Sequence, residues 1–407
     1  MSSFDEQDLG RRVDGALATI TSGSAPAAAI VAQGRRIRLR RRAARAGVAV
    51  VAAVALAIPV YTAVRGGPPA QPARPLATKL SGLPMPAGTN FKFLVQGSEG
   101  TGFPGAADWY STASRSFKTI AGLPHEPFDF SRVPGGWSAG LFLGGWKCPP
   151  HCWNAQYFIA DGSTHATKIG IGLWISPADH PGAVWLMSYP PTITDMATAS
   201  AYVQLFSTNG SALGPRYRLP AGYLLDRGVG GYLLLTSLRQ KKPPYISVLW
   251  DPRSNRVAGR VTDVIAAGPG QIAWSPDCRG CRVRLLNVLT GTSVTTPIAA
   301  GQPGGLTGKF TDDGTLLAVQ LTDGQLAVYD TSSGQLTVIP GTALNNNYWQ
   351  DFGWLNGSHT LTVAAGCGRC NATGPEQIAY WQPGDSRLRI ATVTNQREAD
   401  AVQGAAS

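Results

Sequence analysis

The stretch that decides the fold is "GLTGKFTDDGTLLAVQLTDGQLAVYDTSSGQLTVIPG", residues 305–341. The turn signals DDG, DG and SSG divide it into four short segments. The pattern of apolar and polar residues in "TLLAVQL" and "QLAVYD" is strand-like. The stretch therefore predicts four short antiparallel strands that are joined by tight turns.

This stretch resembles a blade of the WD40 and TolB-like β-propellers. Its first turn is similar to the F-S-P-D-G turn of such blades, and "VYDTSSG" is similar to their V-Y-D-x-x-x-G strand end. "AWSPDC" at 273–278 resembles the same turn, with Cys278 in place of the glycine, and "FGWLNGSHTLTV" at 352–363 is a looser version. The resemblance implies a propeller of the TolB-like or irregular WD40 variety.

Similar pairs of strands recur about every 38–48 residues, which is near the repeat length of propeller blades. We label the four strands of each unit A to D outward from the axis, and each pair represents strands B and C. The pairs lie at 90–114, 138–161, 183–209, 231–252, 271–288, within 305–341, and at 359–384. The pattern predicts an all-β propeller of about seven four-stranded antiparallel blades, with six or eight blades left open. A pair of β-sandwiches fits less well, because the C strands end in similar turns such as "NVLTG" and "WQPG".

A membrane segment is predicted at residues 46–64, "AGVAVVAAVALAIPVYTAV", which contain no charge. As a helix they would extend about 28 Å, close to the hydrocarbon thickness of a bilayer. Seven arginines lie in "GRRIRLRRRAAR" at 34–45, directly before this segment, and only Arg65 follows closely. The positive-inside rule then places the N-terminus in the cytoplasm and the rest of the chain outside. We expect a single-pass protein of a bacterial cell membrane; the alternatives are a buried core helix and a cleaved signal peptide.

Residues 1–45 predict two short cytoplasmic helices that end in the arginine-rich stretch. Ser3 and Glu6 have the spacing of a capping box, and an apolar stripe follows on one helical face. The layout resembles the short cytosolic ends of single-pass proteins of high-GC Gram-positive bacteria, some of them anti-sigma-factor-like. The resemblance implies a cytoplasmic partner such as a sigma factor. A partly disordered leader that only sets the topology explains the segment equally well.

The remaining domain boundaries follow from composition. Residues 65–84 begin with "RGGPPAQPARPLATK", which predicts a semi-extended Pro-rich linker. The propeller is then expected at 85–395, and residues 396–407 are expected to form a disordered tail. Charged residues make up only 14% of the chain, and 49 Gly and 30 Pro suit a turn-rich β protein.

The six cysteines form three closely spaced pairs, each in a predicted B–C loop. They are Cys148 with Cys152, Cys278 with Cys281, and Cys367 with Cys370. The two C-x2-C pairs belong to units that have another unit between them, so one shared tetrahedral zinc site is disfavoured. A redox pair usually needs a helix N-terminus, which a strand-to-strand loop does not supply. An oxidising outside compartment favours three local disulfides, each of which would contribute about 2 kcal/mol.

No motif in the sequence predicts catalysis. "GWSAG" at 136–140 matches G-x-S-x-G, but a strand follows it where a nucleophile elbow needs a helix. "GGLTGKF" at 304–310 lacks two of the residues that a phosphate-binding loop needs. We therefore expect no catalytic residue, metal or cofactor, and no nucleic acid as a partner. The alternative is an extracytoplasmic propeller enzyme of the lactonase or hydrolase type, with its site in the central channel.

The function predicted from the sequence is a membrane-anchored extracytoplasmic binding or sensing module for a protein, a peptide or a cell-wall ligand. It would signal through residues 1–45. Propellers usually bind on the face that carries the B–C and D–A loops, and stiff loops lose less entropy on binding. The candidate binding residues in those loops are His151, Trp153, Lys241, Lys242, Arg279, Arg369, Asn345, Asn346, Asn347, Tyr348 and Trp349.

Overall fold

A computed structural model describes most of the chain from residue 77 onward. The described residues are 77–96, 107–114, 116–124, 127, 129–142, 154–179, 181–190, 198–240, 242–276, 280–300, 306–344, 348–355, 357–367 and 376–393. The predicted cytoplasmic segment 1–45, the apolar segment 46–64 and the tail 396–407 lie outside this part. Within it, no helix is long and apolar enough to span a membrane.

The described residues form an all-β propeller built from 28 strands. Six sheets have four antiparallel strands in chain order, and we number these blades I to VI. Blade I contains β5 (Asp129–Val133), β6 (Gly136–Phe142), β7 (Asn154–Ala160) and β8 (Ala166–Gly172). Blade II contains β9 (Trp174–Pro177), β10 (Ala183–Ser188), β11 (Tyr202–Ser207) and β12 (Ala212–Arg218). Blade III contains β13 (Tyr223–Val229), β14 (Tyr232–Ser237), β15 (Ile246–Asp251) and β16 (Arg256–Thr262).

The other three blades follow the same order. Blade IV contains β17 (Val264–Gly268), β18 (Gln271–Trp274), β19 (Arg282–Asn287) and β20 (Ser293–Ala299). Blade V contains β21 (Thr307–Phe310), β22 (Leu316–Gln320), β23 (Leu326–Asp330) and β24 (Leu336–Ile339). Blade VI contains β25 (Tyr348–Trp354), β26 (Leu361–Cys367), β27 (Gln377–Trp381) and β28 (Leu388–Thr392). The short strand β1 (Gly82–Pro84) pairs in parallel with β28 as a fifth strand of blade VI.

The prediction of seven four-stranded blades is wrong in its count. The first unit forms a three-stranded sheet of β2 (Lys92–Gln96), β3 (Ala107–Ser111) and β4 (Ser116–Thr119). The long connection between β2 and β3 and the tight turn between β3 and β4 match the B–C and C–D connections of the blades. The strand missing among the described residues is therefore A, the innermost one. The repeat period revealed the B–C pair of this unit but contained no information on its A strand.

The strand pairs predicted as B and C are confirmed in all six blades. Blade V shows why the turn signals were informative, because Gly314, Gly324 and Gly334 each have a φ between 73° and 82°. These glycines end the DDG, DG and SSG turns, where a left-handed backbone is easiest for a residue without Cβ. The A strands β5, β9, β13, β17, β21 and β25 contact one another in succession, which places them nearest the axis.

The core lies in the seams between neighbouring sheets. Each seam contains one hydrophobic cluster, and the seven clusters join all six blades and the three-stranded sheet in sequence. The seam between blades III and IV, for example, buries Val261 and Leu249 against Ile272. Consecutive turns in such a meander alternate between two ends. The B–C and D–A connections therefore share one face, which we call the B–C face.

The segment that precedes the propeller proper is attached to it. Leu80 is buried in the seam between blades V and VI, where its N–H donates to Gln377 Oε1 at 2.7 Å. Its carbonyl oxygen accepts from Gln377 Nε2 at 3.3 Å, and Ser81 N–H donates to the Gly341 carbonyl at 3.0 Å. We call residues 77–85 the strap. It includes part of the stretch that composition assigns to the linker.

Candidate functional site

The structure describes only part of the predicted binding set. Lys242 is exposed in the B–C loop of blade III, as expected. Tyr348 and Trp349 are the first residues of β25, an innermost strand, rather than part of the D–A loop as expected. The other predicted residues lie outside the described part: His151, Trp153, Lys241, Arg279, Arg369, Asn345, Asn346 and Asn347.

Lys242 belongs to a loop that is closed by one side chain. Gln240 Oε1 accepts a hydrogen bond from the N–H of Ile246 at 2.8 Å, and Gln240 Nε2 donates to the carbonyl of Pro244. Together these bonds span the loop between its two ends. The loop therefore presents Lys242 and the 38%-exposed ring of Tyr245 at the B–C face on a fixed backbone.

Asp263 ties this loop to the next blade. It lies between β16 and β17, is only 5% exposed, and has a φ of 42°. Its Oδ1 accepts from the N–H of Tyr245 at 3.0 Å, and its own N–H donates to the Tyr245 carbonyl at 2.7 Å. Its carbonyl oxygen accepts from Ser275 N–H at 3.1 Å. Ser275 opens the B–C loop of blade IV, so Asp263 joins the bases of two neighbouring B–C loops.

Two cationic side chains, Arg282 and Arg284, lie on β19, the strand that follows the B–C loop of blade IV. Successive side chains of a strand point to opposite faces, and the burial pattern of β19 follows that rule. Val283 and Leu285 are buried in the seam toward blade V, whereas Leu286 packs in the seam toward blade III. Arg282 and Arg284 are exposed and share the face of Leu286, so they lie along the seam between blades III and IV.

Trp274 lies next to these arginines. It pairs with Arg284 in the β18–β19 register, and the Arg284 guanidinium carbon is 5.8 Å from the centroid of its ring. The Nε1 atom of Trp274 is buried and has no hydrogen-bond partner among the described residues. Buried indole N–H groups usually have an acceptor, so this atom is an unused donor. We call Lys242, Tyr245, Trp274, Arg282 and Arg284 the basic groove.

Charge is distributed unevenly around the propeller. Residues 212–299, which contain the groove, carry twelve Lys and Arg against four Asp. Residues 306–393 carry four Lys and Arg against seven Asp and Glu. Within the described part, Lys242, Arg282 and Arg284 form no ion pair with a carboxylate. The groove therefore lies in the most basic part of the propeller, and the part that follows it in the chain is acidic.

A histidine and a carboxylate meet at the opposite face, between blades V and VI. His359 Nε2 is 2.9 Å from Asp313 Oδ2 and 3.2 Å from Thr315 Oγ1. Burial alone raises the pKa of Asp313, but hydrogen bonds from Thr311, Thr315 and His359 outweigh it and hold the pKa well below its ordinary value. A nucleophile–histidine–carboxylate relay needs both ring nitrogens, one for each partner. Both contacts here use Nε2, so the arrangement links two blades and is not such a relay.

The innermost strands carry charges that neutralise one another locally. Lys309 on β21 and Asp351 on β25 approach to 3.5 Å between Nζ and Oδ1. Arg227 on β13 donates to the carbonyl of Ala267 in the next blade. Burial lowers the pKa of Arg227, and the nearby Asp226, Asp179 and Asp312 oppose that effect. The described residues contain no group of three or more His, Cys, Asp or Glu that could hold a metal ion.

Two of the six cysteines lie in the described part. Cys281 directly precedes β19, and Cys367 ends β26. Neither is a free thiol. Cys148, Cys152, Cys278 and Cys370 lie outside the described residues, so the three local disulfides stay a prediction.

Sequence reasoning identified the loop of Lys242 but missed the rest of the groove. Arg282 and Arg284 gave a signal, because they alternate with apolar residues in "RVRLL" and so had to share an exposed face. Trp274 stands in the predicted B strand "QIAWSPD" and in the turn motif "AWSPDC", and neither pattern indicates a binding role. Nothing in the sequence indicated that Asp263 would be buried and bonded to Tyr245.

Comparison with known proteins gives a fold-level similarity alone. No protein-family model matches the chain, and no curated protein matches it. The computationally designed Ika8 protein is 11% identical, with a TM-score of 0.41, over 81% of this chain and 92% of its own. AztD from Citrobacter koseri in its apo form is 12% identical, with a TM-score of 0.36, over 71% and 92%. KlAtg21, in complex with the coiled coil of AgAtg16, is 12% identical, with a TM-score of 0.43, over 78% and 98%.

Proposed function

We propose that the protein is a membrane-anchored, extracytoplasmic β-propeller that binds a protein, a peptide or a cell-wall ligand through its B–C face. In this proposal residues 46–64 are the anchor and residues 1–45 report binding to a cytoplasmic partner such as a sigma factor. The observation that carries the binding role is the basic groove. Its charges are exposed and free of carboxylate partners in the described part; Arg282 and Arg284 lie on β19, and Lys242 lies on a hydrogen-bonded loop.

The point where the chain joins the propeller supports an orientation. Ala77 forms an isolated parallel bridge with Leu344, which lies in the D–A connection between blades V and VI. The chain therefore reaches the propeller at the B–C face. Residues 65–76 span at most about 40 Å when fully extended. A membrane anchor before residue 65 would hold the B–C face within that distance of the bilayer.

Thiol labelling of intact cells that produce the full chain tests this proposal. We expect a membrane-impermeant maleimide to label the protein only after an impermeant reductant opens the disulfides. Labelling without reductant would contradict the three disulfides. Absence of labelling after reduction, with labelling restored by cell lysis, would contradict the extracytoplasmic placement.

A matched control tests the cytoplasmic end separately. Ser24→Cys adds one thiol within residues 1–45, in a variant whose six native cysteines are replaced by serine. We expect this thiol to be labelled in lysed cells and protected in intact cells. Labelling in intact cells would contradict the proposed topology, whatever the native cysteines do.

A further inference from the structure

The groove between blades III and IV has the chemistry of an anion site. Arg282 and Arg284 are two residues apart on one strand, so their Cα atoms lie about 7 Å apart along it. Both guanidinium groups are exposed, and each offers a planar set of donors that suits carboxylate or phosphate oxygens. Lys242 adds a third cation at the B–C face. A ligand with one anionic group in each repeating unit can contact both Arg282 and Arg284.

Trp274 indicates where such a ligand would make its most buried contact. Its Nε1 is a desolvated donor without an acceptor among the described residues, beside the guanidinium of Arg284. An unpaired buried donor is unfavourable, so an oxygen atom supplied by a ligand would relieve that cost. This observation is independent of the charge distribution and indicates the same groove.

The aromatic rings of the groove favour a sugar over a peptide. Both rings are flat and amphipathic; Tyr245 is 38% exposed, and the ring of Trp274 lies 5.8 Å from the guanidinium carbon of Arg284. The apolar face of a sugar ring packs on such a surface while its hydroxyl and acidic groups remain available to Arg282 and Arg284. Asp263 fixes the backbone of Tyr245 in advance, which lowers the entropy lost on binding.

We propose that the basic groove binds an anionic glycan or a related polyol, a polymer of hydroxylated units that carries carboxylate or phosphate groups along its length. This inference rests on the proposed binding function and specifies the class of ligand. The shared chemistry is a repeated anionic group on a sugar or polyol chain. A carboxylated polysaccharide and a phosphodiester-linked polymer are its two sources.

The test measures binding to the full chain in nanodiscs of zwitterionic lipid, which contribute no net surface charge. The probes are polygalacturonate, poly(glycerol phosphate), neutral dextran and poly-glutamate. We expect one or both anionic polymers with sugar or polyol backbones to bind, and dextran not to bind. Raising the salt from low to physiological concentration should weaken binding by about tenfold, because exposed charges are screened.

Variants locate the interaction. Replacing both Arg282 and Arg284 by Gln should weaken binding by about tenfold or more. Trp274→Phe removes the Nε1 donor, keeps an aromatic ring, and should weaken binding about threefold to tenfold in a protein that remains folded. Arg256→Gln is the control, because Arg256 is exposed at the start of β16, which is the end of that strand away from the B–C face. It should leave binding unchanged.

Four results would overturn the proposal. The first two are that dextran binds as tightly as the anionic polymers, and that poly-glutamate binds as tightly as polygalacturonate or poly(glycerol phosphate). The third is that the protein binds these probes only in nanodiscs of anionic lipid. The fourth is that Arg256→Gln weakens binding as much as the Arg282/Arg284 double change. Thiol labelling in intact cells does not depend on any of them. Failure of the glycan inference is therefore distinguishable from failure of the proposed topology.

Discussion

Asp263 illustrates how one residue organises the candidate site. Its left-handed φ turns the chain sharply from β16 into β17, and its carboxylate then reaches the backbone of Tyr245. Aspartate and asparagine accept this conformation more readily than most residues, because their short side chains bond locally. One residue therefore turns the chain with its backbone and fixes the position of Tyr245, at the edge of the basic groove, with its carboxylate.

Replacing Asp263 should separate these two effects. Asp263→Ala removes the acceptor of a backbone N–H. It also leaves, at a positive φ, a residue whose side chain cannot form a local hydrogen bond. We therefore expect a loss of about 2–4 kcal/mol in the free energy of unfolding. Asp263→Asn keeps the acceptor and the conformation, and should cost less than about 1 kcal/mol. Denaturant titration of both variants measures the difference. Equal losses would show that the hydrogen bond to Tyr245 is unimportant.

Asp330 gives a pH dependence at the scale of a single turn. The hydroxyl of Ser332, aided by the backbone N–H of Ser333, lowers the pKa of Asp330 to about 2. The folded-state pKa lies below the unfolded value of about 3.9, so the ionised form stabilises the fold. The contribution of ionised Asp330 to the free energy of unfolding is complete above about pH 5 and is lost as the pH falls toward 2.

The variant Asp330→Asn isolates that contribution, because it keeps an acceptor and cannot ionise. We expect the melting temperature of the wild type to exceed that of Asp330→Asn slightly at pH 6, and the gap to close near pH 2. Thermal melts across this range make the comparison, and the other titrating groups cancel in the difference. A gap that does not change with pH would contradict the assignment.

At the scale of elements, the strap depends on a close approach between two backbones. Gly341 has a φ of 81°, and a Cβ atom there would lie 2.1 Å from the carbonyl oxygen of Ser81. Gly357 has a φ of 60° with nothing within 4 Å of the same position. Alanine at either site carries the conformational cost of positive φ, but only at Gly341 must the strap also move.

We therefore expect Gly341→Ala to lower the free energy of unfolding by about 2–3 kcal/mol more than Gly357→Ala, since Leu80 would lose its buried position. Limited proteolysis should cut the strap in the first variant and leave it intact in the second. Equal stability losses without extra cleavage would show that the strap is not held by this contact.

Elements also show what sequence could predict. Strands B and C were found because their two faces pack in two seams, which gives them continuous apolar runs such as "YLLLTS" and "ISVLWD". The A strand of 305–341 was found from its turn signals, but the other A strands were not, because charged residues interrupt their apolar pattern, as in "DFSRV" and "YLLDRGV". The strap was missed because its partner strand is about 300 residues away, and no local pattern records such a parallel pairing. The groove was missed for the same reason, since Tyr245 lies in a connection of blade III, whereas Trp274 and Arg284 lie on β18 and β19 of blade IV.

At the scale of the whole molecule, each sheet is stabilised by the two neighbours with which it shares a seam. Six sheets contact those neighbours through four strands, whereas the sheet of β2, β3 and β4 uses three in the described part. Its seam with blade VI buries Phe91 and Tyr110 against Ala364 and Ile378. Because the described part of this sheet has one strand fewer than each blade, we expect it to be the weakest part of the circular arrangement.

Hydrogen exchange tests that expectation, because regions that open locally exchange faster than those that exchange only by global unfolding. Amides of β3 should exchange faster than those of β14, where Leu233, Leu234 and Leu235 are all buried.

Two matched substitutions sharpen the test, since Ile378→Ala and Ile272→Ala remove the same atoms and should each cost about 2–5 kcal/mol in their own seam. Ile378→Ala should accelerate exchange mainly in β2, β3 and β4 and their contacts in blade VI, whereas Ile272→Ala should accelerate it around the whole ring. Uniform acceleration by both variants would mean that the ring unfolds as one unit and that the three-stranded sheet is no weaker than the blades.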